Sequence, residues 1–329
     1  MQGQVYKIHS DFYYVKNFEH KEFVCKLKDI LKKQKIDIKV GDYVELSLDN
    51  SSIISLLKRK NTIERPKVSN VDLALVVCSL KDPDLDYIQL NRYLTYLKYY
   101  NIDCAICFNK EDLEADFEEK KAQIGAIYKK LNYKTFFISA KNKSHLEELI
   151  EFVKSKTIVF CGQSGVGKST LLNCLTNKNL KTGLVSSKTK KGVHTTRHCE
   201  VVEYEDFRII DTPGFSKLKF DFLLPSKLIN LFDDIKIYSD DCKFSNCLHD
   251  SDNDCCVRKN LNKIDKTRYE SYLCFLDEAR QYKDEISNRS IKKEYFSKET
   301  GNKVLAKISR KKRELSRNIL KQKTKEEGL

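Results

Sequence analysis

Hydrophobic and polar positions alternate in short runs over the first 66 residues of the chain. The runs read "GQVYKI", "FYYVKNF", "EFVCKL", "GDYVELSL" and "SSIISLL", and glycine and aspartate separate them. Alternation with a period of two is typical of strands that bury one face, and the polar breaks indicate turns. The pattern therefore predicts a small antiparallel barrel or sandwich that ends at the basic stretch "KRKNTIERP".

A different pattern begins near residue 71, where continuous apolar runs alternate with helical stretches. Strands that are buried on both faces produce such runs. Strands of this kind are typical of a parallel sheet that is covered by helices. Five runs qualify, at 73–80, 103–108, 135–139, 157–161 and 208–211. The segment "EVVEYEDFRII" adds a hairpin, so we expect one antiparallel edge strand. The predicted fold class is α/β, with a separate β domain before it.

After about residue 225 the chain becomes polar and helical, with a tight Cys/His cluster and a Lys/Arg-rich end. A chain of 329 residues suits two or three domains. We place the domain boundaries at 1–66, 67–225 and 226–329.

Charge and cysteine content narrow the possible partners and the compartment. The formal net charge of +14 favours a polyanionic partner such as nucleic acid, although a lysine-rich proteome produces the same excess. Twelve cysteines in a chain without a signal-peptide pattern indicate reduced thiols in the cytoplasm. No apolar run is long enough to cross a bilayer, so we expect no membrane segment.

The segment "GQSGVGKST" has the spacing of a phosphate-binding loop. An apolar strand precedes it and an apolar helix follows, which is the context that the motif requires. Its glycines let backbone N–H groups turn toward phosphate oxygens, while Lys168 bridges phosphates and Ser169 binds Mg²⁺. The predicted nucleotide contacts in this loop are Gly162, Gln163, Ser164, Gly165, Val166, Gly167, Lys168, Ser169 and Thr170.

The segment "DTPGF" ends the strand at 208–211 and has the form of a nucleotide-sensing switch. A carboxylate at a strand end, here Asp211, is suited to hold the Mg²⁺ shell. The N–H group of Gly214 is suited to contact the γ-phosphate and so to sense hydrolysis.

The segment "NKED" has the form Asn-Lys-x-Asp, with which GTP-binding proteins read the guanine base. Its predicted contacts are Asn109, Lys110 and Asp112. Asp112 can accept from guanine N1 and N2, whereas adenine would leave the carboxylate unpaired, so we expect GTP to be preferred to ATP. The usual second guanine contact ends the next strand, at Ser139, Ala140 and Lys141.

Both guanine segments precede the phosphate loop, whereas in an ordinary GTPase they follow it. The helix "SHLEELIEFVK" leads into the phosphate-loop strand; Ser144 and Glu147 predict its capping box. Leu146, Leu149, Ile150 and Val153 predict its apolar face. The natural termini of a doubly wound domain are near neighbours, so a short linker there preserves every packed contact. The order is therefore interpreted as a circular permutation.

The segment "CKFSNCLHDSDNDC" predicts a structural zinc site at Cys242, Cys247, His249 and Cys255. Three sulfurs and one imidazole complete a tetrahedral set and leave no ligand position for catalysis. Cys256 competes for the fourth position, and chance clustering in a cysteine-rich chain is the alternative. Cys104 and Cys107 also have C-x-x-C spacing, but they lie in a predicted buried strand, so we interpret them as core.

Taken together, these features resemble the ribosome small subunit-dependent GTPase A (RsgA) family of circularly permuted GTPases. The resemblance covers nearly the whole chain and rests on "RPKVSNVD", "NKED", "GQSGVGKST", "KKGVHTTRHCE", "DTPGF" and the Cys/His set. It implies an N-terminal OB-fold barrel, a permuted GTPase domain and a C-terminal zinc domain. It also implies that the chain hydrolyses GTP to GDP, binds the 30S subunit and its 16S rRNA, and acts late in 30S maturation. We expect a cytoplasmic monomer whose hydrolysis is stimulated by the subunit.

The same resemblance places switch I at "GVHTT". His194 then stands at the position of a proposed catalytic histidine, and Thr195 or Thr196 would ligate Mg²⁺. Phe215 follows Asp-x-x-Gly, where Ras-like enzymes have a water-orienting glutamine, so another group has to orient the water. An alternative role for His194 is contact with RNA.

Other interpretations stay open. One is an RNA-binding module that holds GTP as a structural ligand, and another is a permuted GTPase of large-subunit assembly. Tyr13 and Tyr14 either stack on bases or pack within their strand. The basic tail at 289–325 is a helix packed on the zinc domain, an rRNA contact or, third, a membrane-surface helix.

Overall fold

The computed structural model describes residues 1–47, 49–176, 199–204, 207–211, 218–251 and 254–299, with side chains described except at 211 and 289–299. The chain divides into two compact units. The first comprises Met1–Leu218 and Ile229–Leu273, and the second comprises Lys219–Leu228 and Cys274–Leu329. The predicted domain boundaries at 66 and 225 stay a prediction.

The N-terminal segment forms a closed five-stranded barrel. Its elements are β1 (Gln2–His9), β2 (Phe12–Asn17), β3 (Glu22–Leu27), α1 (Asp29–Lys33), β4 (Tyr43–Leu46) and β5 (Ser52–Leu56). Strand β1 pairs antiparallel with both β2 and β4, β2 pairs with β3, and β3 and β5 run parallel. The antiparallel pairing of β4 with β5 closes the ring, so the predicted alternatives resolve to a barrel with OB-fold strand order.

Alternate side chains of these strands fill the barrel. Val5, Val15, Cys25, Val44 and Ile53 are fully buried, as the period-two pattern predicted. A buried carboxylate, Asp42, fastens the barrel to the chain that follows it. It accepts two hydrogen bonds of 2.7 Å from the Arg59 guanidinium and one of 2.6 Å from the Ser69 hydroxyl. A short hairpin follows, formed by β6 (Thr62–Ile63) and β7 (Val68–Ser69). Arg59 precedes this hairpin, and Ser69 is its last residue.

A six-stranded sheet follows, with helices between its strands. Its elements are β8 (Leu73–Ser79), α2 (Tyr87–Tyr99), β9 (Cys104–Asn109), α3 (Phe117–Lys130), β10 (Lys134–Phe137), α4 (Glu147–Val153), β11 (Thr157–Cys161), α5 (Lys168–Leu175), β12 (Glu200–Glu203) and β13 (Arg208–Asp211). The strand order is β10-β9-β8-β11-β13-β12, and all these pairs are parallel except β12–β13. The parallel sheet and the antiparallel hairpin are confirmed, but the expected edge position of the hairpin is wrong, because β12 has a strand partner on each side. Strand β12 also pairs with β1 at Lys7 and Glu200, which joins the barrel to this sheet.

Helix α4 differs from its prediction at the N-terminus. The helix begins at Glu147, and no side chain caps it. The predicted capping box is wrong because the Ser144 hydroxyl donates instead to Glu111, at 2.6 Å. The predicted apolar face is confirmed, since Leu146, Leu149 and Val153 are buried and Ile150 packs against the same core.

Short helices dominate the region after the sheet. They are α6 (Pro225–Leu228), α7 (Asp233–Lys236) and α8 (Cys256–Lys259), followed by the long α9 (Lys266–Glu299). Single 3-10 turns lie at Glu111–Leu113, Ile229–Leu231 and Leu261–Lys263. Among the described residues, no helix is both long and apolar enough to cross a membrane. The basic tail beyond 299 lies outside the described residues.

Candidate functional site

Three predicted site segments follow parallel strands of the sheet. The segment that begins at Asn109 ends β9, the segment at Ser139 follows β10, and the loop at Gly162 follows β11. The carboxyl ends of parallel strands meet at one edge of a sheet, which is where open α/β folds bind ligands. The sheet order therefore brings together three segments that are well separated in the chain, at Asn109, Ser139 and Gly162.

The Asn109 side chain connects the other two segments. Its Nδ2 donates to the Val166 carbonyl at 2.9 Å, and its Oδ1 accepts from the Ala140 N–H at 2.9 Å. Asn109 is only 2% exposed, so these bonds are shielded from water and fix the spacing of the segments. The predicted convergence of the guanine-reading segments on the phosphate loop is present.

Asp112 and Ser139 form a second direct contact between the guanine-reading segments. The Ser139 hydroxyl is buried and donates to Asp112 Oδ1 at 2.5 Å, while Asp112 itself is exposed. Lys110 has a left-handed backbone with φ of 65°, and its ammonium group donates to the Asp82 carbonyl. Lys141 is exposed.

The phosphate loop has the backbone conformation that its glycines predicted. Gly162, Gly165 and Gly167 have φ values of 147°, 84° and 91°. Only glycine adopts such values without strain. A Cβ atom at Gly162 would lie 2.2 Å from the Val77 carbonyl oxygen, so the loop also packs too closely to β8 for a side chain.

Lys168 opens α5 and folds back over this loop. Its ammonium donates to the carbonyls of Gly162 at 2.7 Å and Gln163 at 2.5 Å. Burial lowers its pKa below the ordinary lysine value. The Gln163 side chain points to the neighbouring loop, where it donates to Asp86 at 3.0 Å. Ser169, in the first turn of α5, is half-buried.

The remaining nucleotide-site residues lie outside the described part of the chain. These are His194, Thr195, Thr196 and Gly214, and the same holds for the side chain of Asp211. The backbone of Asp211 ends β13, as predicted, where it is paired with Glu200.

The four predicted zinc ligands come together. Cys242 Sγ lies 3.6 Å from His249 Nδ1 and 3.9 Å from Cys255 Sγ, and Cys255 Sγ lies 3.5 Å from His249 Nδ1. Cys247 completes the group, in which all ligand atoms lie within 4.8 Å of one another. A tetrahedral zinc ion with Zn–S of about 2.3 Å and Zn–N of about 2.1 Å needs edges of roughly 3.6–3.8 Å. The donor set therefore fits a zinc ion.

Hydrogen bonds from α9 hold this cluster in place. The Tyr269 hydroxyl donates to the His249 carbonyl at 2.7 Å, and the Tyr272 hydroxyl donates to the Leu248 carbonyl at 2.9 Å. Cys256 is not part of the set, because its thiol donates to the Asp241 carbonyl at 3.0 Å. Of the two adjacent cysteines, Cys255 is the one that lies with the other three donor groups.

The C-x-x-C pair at Cys104 and Cys107 belongs to the core, as interpreted from the sequence. Both residues lie in β9, and Cys107 is fully buried. Burial raises the pKa of the Cys104 thiol to about 12 and that of Cys107 further. Neither thiol is suited to be a metal ligand.

The two tyrosines of β2 pack within the barrel. Tyr13 packs against the barrel core and Tyr14 contacts Tyr6 edge-on, which favours strand packing over base stacking.

Comparison with known proteins identifies the family. The family profile described as RsgA GTPase matches residues 56–221, and the RsgA N-terminal domain profile matches residues 2–53. The chain belongs to the RsgA GTPase family. A further profile, described as 50S ribosome-binding GTPase, matches residues 157–300.

Curated relatives resemble the chain over most of its length. A Clostridium novyi (strain NT) protein named small ribosomal subunit biogenesis GTPase RsgA is 38% identical over 287 residues, which cover 85% of this chain and 98% of that protein. A Clostridium botulinum (strain Kyoto / Type A2) protein of the same name is 36% identical, with 84% and 97% covered.

Solved structures of two relatives share the fold. YloQ, described as a circularly permuted GTPase, matches with a TM-score of 0.68 and 32% identity, covering 85% of this chain and 95% of that one. YjeQ from Thermotoga maritima matches with a TM-score of 0.69 and 28% identity, covering 84% and 98%. The predicted RsgA resemblance, fold class, permuted order and GTPase activity are confirmed.

The sequence interpretation missed two residues that build this RsgA site. Glu111, between Lys110 and Asp112, is buried and accepts from the Ser144 hydroxyl, and the backbone carbonyl of Asp82 accepts from the Lys110 ammonium. The sequence did contain a signal for Glu111. It is a charged residue at the one position of Asn-Lys-x-Asp that makes no base contact. Nothing in the local pattern around Asp82 indicated its contact.

Proposed function

We propose that this RsgA family member binds GTP with Mg²⁺, hydrolyses it while bound to the 30S subunit, and assists late maturation of that subunit. The observation that carries the proposal is the Asn109 side chain, bonded at once to Val166 of the phosphate loop and Ala140 of the second guanine segment. Two ends of one nucleotide can be read only if these loops are held at a set distance. The names of the curated relatives support the ribosomal part.

The base-reading end is assigned to the β9 and β10 segments. Asp112 accepts from the guanine edge, and the Ser139 hydroxyl orients its carboxylate. Lys110 and Lys141 lie beside the base, and the Ala140 N–H group lies next to Asn109. Adenine lacks the donors that Asp112 requires, and a carboxylate that is covered by a base with which it cannot pair is costly, so discrimination against ATP follows.

The phosphate end is assigned to the loop at 162–170 and to the switch segments. Backbone N–H groups around Gly165 and Gly167 surround the phosphates, and Lys168 leaves its carbonyl partners to neutralise them. We assign Gly214 to the γ-phosphate. When bound, Mg²⁺ would neutralise charge that develops on the phosphate oxygens; its proposed ligands are Ser169, Thr195 or Thr196, and Asp211.

The Cys/His cluster is assigned as one structural zinc site. Its donors are Cys242, Cys247, His249 and Cys255, and a bound zinc ion would supply folding free energy to a loop with a small core. No position remains for a substrate, so the site has no catalytic role.

Binding to 16S rRNA, a monomeric state and a cytoplasmic location belong to the same proposal. The net charge of +14 supports contact with RNA phosphates. We assign the orientation of the attacking water to His194, because Phe215 has no group that could do it.

The test is single-turnover GTP hydrolysis with 30S subunits, with 50S subunits and without ribosomes. We expect stimulation by 30S subunits alone, and we expect His194→Ala to lose the stimulated rate while keeping the basal rate. A basal rate unchanged by saturating 30S subunits would favour an RNA-binding module that holds GTP as a structural ligand.

The large subunit is a second candidate partner, because the profile described as 50S ribosome-binding GTPase matches residues 157–300. That match covers the phosphate loop and the segments after it, whereas the small-subunit relatives match over most of the chain. Stimulation by 50S and not 30S subunits in the same assay would establish the large subunit instead.

A further inference from the structure

We propose that Glu111 is a positioning residue for guanine recognition: its buried carboxylate holds Ser139 against Asp112 by anchoring Ser144. This inference deepens the proposed GTP site and rests on it. Glu111 makes no contact with the base in this proposal. It acts on the residues that do.

The carboxylate of Glu111 is buried at a free-energy cost to folding. The residue is 8% exposed and begins the 3-10 turn Glu111–Leu113. Its Oε1 accepts from the Ser144 hydroxyl at 2.6 Å and lies 2.7 Å from His145 Nδ1. Its Oε2 is buried without a hydrogen-bond partner among the described residues. Burying a carboxylate with an unpaired oxygen opposes folding, so packing alone does not account for a glutamate here.

A short path of hydrogen bonds leads from Ser144 to the base-reading carboxylate. Ser144 and Ser139 exchange two backbone hydrogen bonds, of 3.1 and 3.2 Å. The Ser139 hydroxyl then donates to Asp112 Oδ1 at 2.5 Å. Since Glu111 and Asp112 are adjacent in the chain, the path closes into a ring. Anchoring Ser144 therefore sets the orientation of the Asp112 carboxylate.

The loop between Ser139 and α4 needs such an anchor. Lys143 and His145 both have left-handed backbones, with φ values of 57° and 56°. A non-glycine residue in this region carries strain that persists only where neighbouring contacts hold it. Glu111 contacts Ser144 and His145, and both residues lie within this strained stretch.

The two contacts on Glu111 differ in strength. The Ser144 bond is a hydroxyl-to-carboxylate hydrogen bond in a half-buried place, where such bonds are strong. The His145 side chain is 66% exposed, and the pair is ionic only when the imidazole is protonated. The imidazole lies mostly in solvent, which screens its interaction with the carboxylate, so we assign the effect to Ser144 and not to His145.

The test compares affinities for GDP and IDP, since inosine lacks the N2 amine that Asp112 accepts from. We expect Glu111→Ala and Ser144→Ala to weaken GDP binding about tenfold, the effect of roughly one misplaced hydrogen bond, and to bring the GDP to IDP affinity ratio toward one. Glu111→Gln keeps an acceptor oxygen for Ser144 and should restore most of the ratio. His145→Ala removes the other contact of the same Glu111 carboxylate, and this variant should bind both nucleotides as the wild type does.

Pyrophosphate binding and thermal unfolding separate positioning from general damage. We expect both to stay at wild-type levels in the Ser144→Ala variant, because the phosphate loop is held by Asn109. Unchanged GDP to IDP ratios in Glu111→Ala and Ser144→Ala would overturn the inference. So would an equal loss of GDP, IDP and pyrophosphate binding with earlier unfolding. If the wild type binds no GDP at all, it is the proposed function that fails.

Discussion

At the scale of single residues, the site depends on the close approach of Gly167 and Asn109. A Cβ atom at Gly167 would lie 2.3 Å from Asn109 Nδ2, and the glycine has a φ of 91°. Both the backbone conformation and the space thus require glycine. The Asn109 contact with Val166 exists only because this position has no side chain.

Replacing Gly167 with alanine should therefore damage both stability and binding. We expect Gly167→Ala to lower the free energy of unfolding by about 2 kcal/mol and to weaken GDP binding at least about tenfold, measured by urea denaturation and calorimetry. Gly125→Ala is the matched control, because its Cβ meets nothing within 4 Å inside α3. That variant should gain about 0.5–1 kcal/mol. Similar effects of the two substitutions would contradict this account.

At the scale of elements, the region around the Cys/His cluster lacks the means to fold from local structure alone. Helix α8 has four residues, and isolated helices of that length are not stable in water. Two tyrosines of α9 donate to carbonyls of the cluster loop, at Leu248 and His249. Metal binding by the four ligands would supply what is missing.

Adjacent cysteines allow a sharp test of that metal site. We expect Cys255→Ser to lose bound zinc and Cys256→Ser to keep one equivalent, because only Cys255 belongs to the ligand group. Zinc content by mass spectrometry and helix content by circular dichroism are the measurements. Full zinc content in Cys255→Ser would mean that the ligand assignment is wrong.

At the scale of the whole molecule, a buried polar network joins α2, α7 and α9 within the first compact unit. Arg268 donates to both carboxylate oxygens of Asp234, at 3.0 Å each, and to Asn91 Oδ1 at 3.1 Å. Asn91 is fully buried and donates to the Ser271 hydroxyl at 2.9 Å. The bidentate geometry needs a guanidinium, which lysine cannot replace. The network fastens the start of α9 to the sheet-covering helix α2.

Removing the guanidinium should leave the half-buried Asp234 carboxylate without this partner, while Asn91 Oδ1 keeps the Tyr128 hydroxyl as a donor at 3.3 Å. We expect Arg268→Ala to lower the free energy of unfolding by about 3–5 kcal/mol, since both Asn91 and Asp234 lose a donor. Lys266→Ala on the same helix should change it by less than about 0.5 kcal/mol, because its pair with Glu270 is exposed. Chemical denaturation of both variants measures the difference. Equal losses would show that the network does not stabilise the unit.

Much of this organisation was predictable because its signals are local. Alternating residues predicted β3 at its observed bounds, Glu22–Leu27, and a continuous apolar run predicted β11 at Thr157–Cys161. The capping box at Ser144 failed because a distant buried group, Glu111, took the hydroxyl. Sequence patterns describe what a segment favours alone, and they do not include such competition.

By itself the sequence determined the chemistry of the site and the order of its parts. Phosphate binding requires the glycine spacing, guanine recognition requires Asn-Lys-x-Asp, and zinc binding requires the Cys/His spacing. Each of these motifs lies within a short stretch of chain. Only the tertiary structure decided which groups hold those stretches together: Asn109 between Val166 and Ala140, Glu111 on Ser144, and Cys255 rather than Cys256 at the metal site. The physical reason is that a hydrogen bond or a ligand edge depends on distances of about 3–4 Å. Only the packing of the sheet and helices sets such distances between residues far apart in sequence.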